Sequence, residues 1–158
     1  MLSRRLLRVK VAKSLYAHLK SGSDNLKTSE KYLVESIDKA YDLYFQMLYF
    51  VVEVARYAES RIELAKQKKL PTYEDLNPNR RFVDNKVVNL LATSDAVNDA
   101  LSYRKLSWAR HADLIKEIYG RMIEADYYKE YMSASICTFT DDRKFVEAFY
   151  TSLEDDEA

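Results

Sequence analysis

Glycine, proline, cysteine and histidine are scarce in this chain of 158 residues, which has two, two, one and two of them. Average usage is about 7% for glycine and 5% for proline, so the chain is starved of the residues that make hairpin turns. An all-α protein is expected. Its one cysteine, Cys137, cannot close an internal disulfide. No N-terminal segment joins an uninterrupted apolar core to a signal-peptide cleavage site, which makes the cytoplasm the expected location. Long apolar runs are lacking too. The richest, Leu43 to Val52, is interrupted by Gln46 and ended by Glu53 and Arg56, well short of the roughly 20 residues a bilayer demands. A buried helix is expected there, and no membrane partner.

The residue patterns of common enzymes are missing as well. The sequence has no glycine-rich phosphate loop, no paired histidines at metal-ligand spacing and no glycine-flanked serine nucleophile. A metal site of histidine and cysteine would have to gather His18, His111 and Cys137 from three distant segments, and Cys137 reads more simply as a small buried apolar residue. Asp141 and Asp142 serve a helix start and its dipole at least as well as catalysis. No catalytic residue, metal or cofactor is assigned. Thirteen tyrosines and six phenylalanines suit packed rings whose hydroxyls reach water or a partner.

What the chain has in excess is charge sorted by position. Lysines plus arginines equal aspartates plus glutamates at 25 each, yet the first twenty residues hold Arg4, Arg5, Arg8, Lys10, Lys13 and Lys20 with no acid. Glu154 to Glu157 is entirely acidic. Salt screens surface charges over about 10 Å, so a polyanion meeting the basic end feels that patch and not a neutral protein.

The length suits a single domain, 1–158, built as a helical bundle with one long central helix and several shorter ones. Helix spacing predicts a first helix over about Ser3 to Lys20, ending at the turn formers from Ser21 to Asn25. From Val9 onward Ala12, Leu15, Tyr16 and Leu19 recur on one face that should pack, with Lys10, Lys13 and Lys20 opposite. Arg4, Arg5 and Arg8 fall in the same arc as those apolar residues, so the first two turns should protrude from the core or fray. A second helix runs from about Thr28 to Lys68. Its seam, Ile37, Tyr41, Tyr44, Leu48, Val51, Ala55, Ala58, Ile62 and Ala65, steps alternately by four and three. A neighbouring stripe that includes Leu33, Met47, Phe50 and Val54 widens the face beyond a two-stranded coiled coil. After Pro71, Asn77-Pro78 is expected to open a helix reaching about Ala92, with later starts near Ser94, His111 and Thr140. Three or four short helices should fill the second half.

Arginines at one helix end, with Tyr16 and His18 nearby and no competing acid, are what single-stranded RNA binding needs. Guanidinium forks hold phosphates while splayed bases stack on aromatic or arginine planes. Arg4, Arg5, Arg8, Lys10, Lys13 and Tyr16 are therefore the candidate RNA-binding residues, with Lys10 and Lys13 added on charge alone. The same charges also suit a solvated helix start that binds nothing. The runner-up reading is a protein-protein scaffold in which the half-exposed seam of the second helix docks a partner helix or a second copy as a homodimer. A small-molecule enzyme ranks last because no nucleophile and base pair can be named.

Arg4-Arg5-x-x-Arg8 followed by Leu15-Tyr16-Ala17, and then Leu43-Tyr44-Phe45-Gln46-x-Leu48, resembles the NusB family of bacterial transcription antitermination factors over about the first sixty-five residues. The resemblance implies an all-helical domain that binds single-stranded nascent ribosomal RNA together with a small ribosomal protein. The complex keeps the RNA polymerase elongation complex moving. Position by position, Arg4, Arg5, Arg8 and Tyr16 match the family's RNA-contacting end. The segment from Leu70 to Arg81 is similar to longer NusB-like proteins that carry extra helices, and nothing after Pro71 reads as the family's usual ending. The resemblance thus implies an N-terminal portion of such a longer protein, with 70–158 as divergent added helices.

Overall fold

The computed structural model describes residues 3–22 and 25–154. Among them are eight α-helices and no strand: α1 Arg4–Ser21, α2 Leu26–Lys66, α3 Tyr73–Leu76, α4 Lys86–Thr93, α5 Asp95–Arg104, α6 Ala112–Glu124, α7 Asp126–Ser133 and α8 Phe139–Glu154. The all-α expectation holds, with one long helix among shorter ones. No helix of the described residues is long and apolar enough to cross a membrane. The chain divides into two compact units, 1–45 and 46–158, and α2 contributes to both. Of the acidic run at 154–157, only Glu154 lies among the described residues.

Local chemistry sets the helix ends. The Ser3 side chain accepts from the Leu6 amide at 3.2 Å, and Gly22 ends α1 in the left-handed conformation at φ 61°. Asn25 accepts from the Thr28 amide at 3.3 Å at the head of α2. Beyond α2, Thr72 and Asp75 form a capping box for the four-residue α3, which Lys68 fastens back through Asp75 at 2.8 Å.

The unit 46–158 holds the buried residues. Its core gathers the inward apolar residues of α2 between Tyr49 and Ala58 with Phe82, Val88 of α4, Val97 of α5, Ile118 and Met122 of α6, and Phe145 and Phe149 of α8. Phe50 packs on Trp108 with ring centres 4.5 Å apart, while the indole N–H donates to the Gln46 carbonyl at 3.0 Å. Tyr150 donates to the Met47 carbonyl at 2.8 Å, and burial pushes its phenol up to about 12. Tyrosine here packs its ring and satisfies its hydroxyl, as its abundance suggested.

Several boundaries differ from the sequence expectation. Asn77 ends α3, its amide N–H and side chain both donating to the Tyr73 carbonyl, and does not start a helix at Pro78. The start lies at Asn85, which is 1% exposed and accepts from the Val87 and Val88 amides at 2.9 and 3.1 Å. α8 opens at Thr138, whose amide and hydroxyl donate to Asp141, two residues before the expected Thr140. Five helices of eight residues or more follow Pro71, because the bundle also breaks at Ala125, an extended residue between α6 and α7.

Lys105, past the end of α5, sits at φ 54° and ψ 40°, a conformation that costs a side-chain-bearing residue about 1–2 kcal/mol. Lys105→Gly removes that strain and frees the unfolded chain a little, so it is expected to stabilise the protein by about 0.5 kcal/mol in urea unfolding. A loss of stability would mean that the lysine side chain holds the cap.

Candidate nucleic-acid interface

Residues 1–45 carry nine lysines and arginines against five aspartates and glutamates, whereas 46–158 carries sixteen against twenty. The neutral chain is therefore a cationic helical hairpin joined through α2 to an anionic bundle. No described residue of the hairpin is buried.

α1 meets α2 with a polar face. Lys10 Nζ donates to the Ser36 carbonyl and hydroxyl, both at 2.8 Å, and Ser14 donates to the Ser29 carbonyl at 3.1 Å. His18 Nδ1 shares a hydrogen bond of 2.9 Å with the Ser29 hydroxyl. The expectation that Val9, Ala12, Leu15, Tyr16 and Leu19 would form the packed face is therefore corrected. Ala12, Leu15, Tyr16 and Leu19 take no part in the contact with α2, Leu15, Tyr16 and Leu19 being 52%, 65% and 79% exposed, and Val9 reaches only the rim between the two helices. The reason is register: Lys10, Ser14 and His18 are four apart and make one row, and that row took the contact.

Arg4, Arg5 and Arg8 belong to the outward arc. All three are exposed, and no carboxylate among the described residues pairs with any of them. They sit in the first two turns, where cations are unfavourable to the helix dipole by about 0.3–1 kcal/mol each. The helix nevertheless begins at Arg4 under the Ser3 cap and does not start beyond the arginines. Tyr16 continues the arc two turns on, with Lys20 Nζ 5.9 Å from its ring centre.

Of the six candidate residues, five lie exposed on α1 and the sixth, Lys10, is half-buried against α2. Lys10 holds the hairpin together first. Lys13 stays exposed at the edge of a groove of about 690 Å³ that runs between α1 and the first turns of α2. Sequence reasoning missed Tyr32, which lines that groove from α2 and is 65% exposed. The signal available was its position: Ser29, Tyr32 and Ser36 are spaced at three and four, so they share a face of α2.

No family model, curated protein or solved structure matches the chain.

The two histidines and the cysteine each have a neighbour of their own. Among the described residues no three histidines, cysteines, aspartates or glutamates come together to hold a metal. His18 pairs with Ser29, His111 stacks edge-on to Trp108, and the Cys137 thiol donates to Asp142 at 3.0 Å. Burial and the neighbouring Asp142 push that thiol up, away from the reactive thiolate.

Proposed function

We propose that this protein is a non-enzymatic RNA-binding factor of NusB type, acting in the cytoplasm with a small ribosomal protein to sustain RNA polymerase elongation on ribosomal RNA operons. The observation that carries the reading is the state of Arg4, Arg5 and Arg8: ordered on a helix, exposed, and without a carboxylate of the described residues to neutralise them. Three guanidinium groups within five positions present forked donors to successive phosphates of a flexible strand. Tyr16 and the arginine planes offer stacking surfaces to its bases. A solvated helix start would have no use for three cations at the positive end of the dipole.

The exposed Leu15, Leu19, Leu43 and Tyr44 favour a second reading, an interaction scaffold that covers these side chains with a partner helix or a second copy. Charge speaks against a hairpin pairing with its own copy, since two surfaces of net positive charge would meet.

Anisotropy titration with ribosomal leader RNA, comparing the whole chain with a form lacking the residues before Val9, separates the two. The RNA reading expects the shortened form to bind at least tenfold more weakly. A chain that dimerises with rising concentration and binds no RNA would establish the scaffold instead.

A further inference from the structure

The groove between α1 and the first turns of α2 differs from the arginine arc in its chemistry. Its volume of about 690 Å³ lies within the 300–1,000 Å³ typical of ligand pockets. Apolar atoms make most of its walls, Val9 and the Tyr32 ring among them, and no aspartate or glutamate of the described residues lines it. The polar groups that do line it are rich in donors. Lys10 has three N–H bonds and spends two on Ser36, leaving one. The Ser36 hydroxyl accepts from Lys10 and keeps its own proton to donate. His18 engages Ser29 through Nδ1 alone, so its Nε2 is uncommitted.

These properties define an occupant that is flat and apolar on its faces, bears acceptors at its edge and tolerates or carries negative charge. An unstacked nucleobase on a phosphodiester strand is such a group. Position also links the groove to the arginines. Arg5, Val9 and Lys13 are four apart and make one row along α1, so the rim formed by Val9 and Lys13 leads into the arginine turns.

We propose that this groove takes a base of the bound RNA strand, with the Tyr32 ring as its stacking shelf and Lys10 and Ser36 donating to its edge. The inference rests on the RNA-binding reading above. Phosphates are then held on the outward arc and the rim while one base turns inward between the helices. Tyr32 is exposed enough for its replacement to leave the helices in place.

The test measures anisotropy of the whole chain with hexauridylate and with an abasic strand of the same length. Wild type is expected to prefer the base-bearing strand by about tenfold, the scale of one base stacked on an aromatic ring. Tyr32→Ala should lower that preference severalfold, to what Tyr16 and the arginine planes still hold, Tyr32→Phe should keep it, and neither should alter the dependence on salt. Equal binding of the two strands by wild type, or a preference that Tyr32→Ala leaves unchanged, overturns the groove assignment while salt-dependent binding leaves the arginine site standing. Absence of salt-dependent binding to either strand defeats the RNA reading itself, and the groove assignment with it.

Discussion

Alanine at Arg4, Arg5 and Arg8 together is expected to weaken binding to single-stranded RNA about a hundredfold at low salt and to flatten its salt dependence. Four of the candidate cations face solvent on α1, these three and Lys13 at the edge of the groove. Each neutralised phosphate contributes about −0.7 to the log-log salt slope for single strands, so wild type should show a slope near −3, an eightfold loss for each doubling of salt. With Lys13 alone the slope falls to about −0.7, less than twofold per doubling. Lys10 is left out of the count because Ser36 already holds it. The hundredfold figure corresponds to about 2.7 kcal/mol, modest for three charge-assisted contacts partly compensated by water. Unfolding is not an alternative cause, since removing cations from the first turns relieves the helix dipole. Circular dichroism of the variant should therefore match wild type or show slightly more helix. Affinity indifferent both to salt and to the triple substitution would remove the basis for an RNA site on α1.

The fold was legible in the sequence where composition decided it. Two glycines and two prolines left little besides helices, and the seam of α2 was readable because nine positions kept a strict alternation of four and three. What the seam could not tell was how far it is covered. Of the nine, Val51, Ala55 and Ala58 are buried, while Tyr44 in the same stripe is 54% exposed. Periodicity reports which residues share a face and is silent on what meets it.

The second half was harder because its breaks use ordinary residues. Lys105 adopts the left-handed turn that glycine would have marked, Ala125 separates two helices, and Gly120 lies inside α6 where it marks nothing. The same limit affected the candidate interface. Arg4, Arg5, Arg8 and Tyr16 could be picked out by charge and spacing, but the contact face of α1 was assigned to its apolar row. The polar row won because Lys10, Ser14 and His18 all find partners on α2. A helix with no acid, whose seven large apolar residues are spread round it and not gathered on one face, has no strong preference to bury, so a few hydrogen bonds decide its register.

Asp142→Asn is expected to lower the stability of the bundle at neutral pH by about 2–4 kcal/mol. Asp142 was expected to serve the start of its own helix, yet it is 4% exposed and joins three other segments. One oxygen accepts from the Tyr131 hydroxyl at 2.6 Å and the Cys137 thiol at 3.0 Å, and the other accepts from the Lys86 amide at 3.1 Å, the first residue of α4. Asn85 completes the cluster, donating to the Tyr131 hydroxyl and the Asp142 carbonyl while its own oxygen caps α4. An asparagine has one acceptor oxygen and an amide that donates, so at least one of the three donors would face another donor in a place water does not reach. The effect has a pH signature. Burial alone would raise this carboxyl, but the donors Cys137, Tyr131 and the Lys86 amide outweigh it and hold it below its ordinary value of 3.8. The folded protein thus binds the proton less readily than the unfolded chain. The stability Asp142 contributes is full above about pH 4 and is lost as pH falls through the depressed folded value. Asp75 and Asp141 are also held low by their hydrogen bonds, but both remain in the variant, so the difference between the two proteins isolates Asp142. Urea unfolding at pH 7, 5 and 3 should show a gap that is constant at the first two values and narrows at the last. A gap that persists unchanged at pH 3, or an asparagine variant as stable as wild type at neutrality, would mean that the ionised carboxylate does not hold α4, α7 and α8 together.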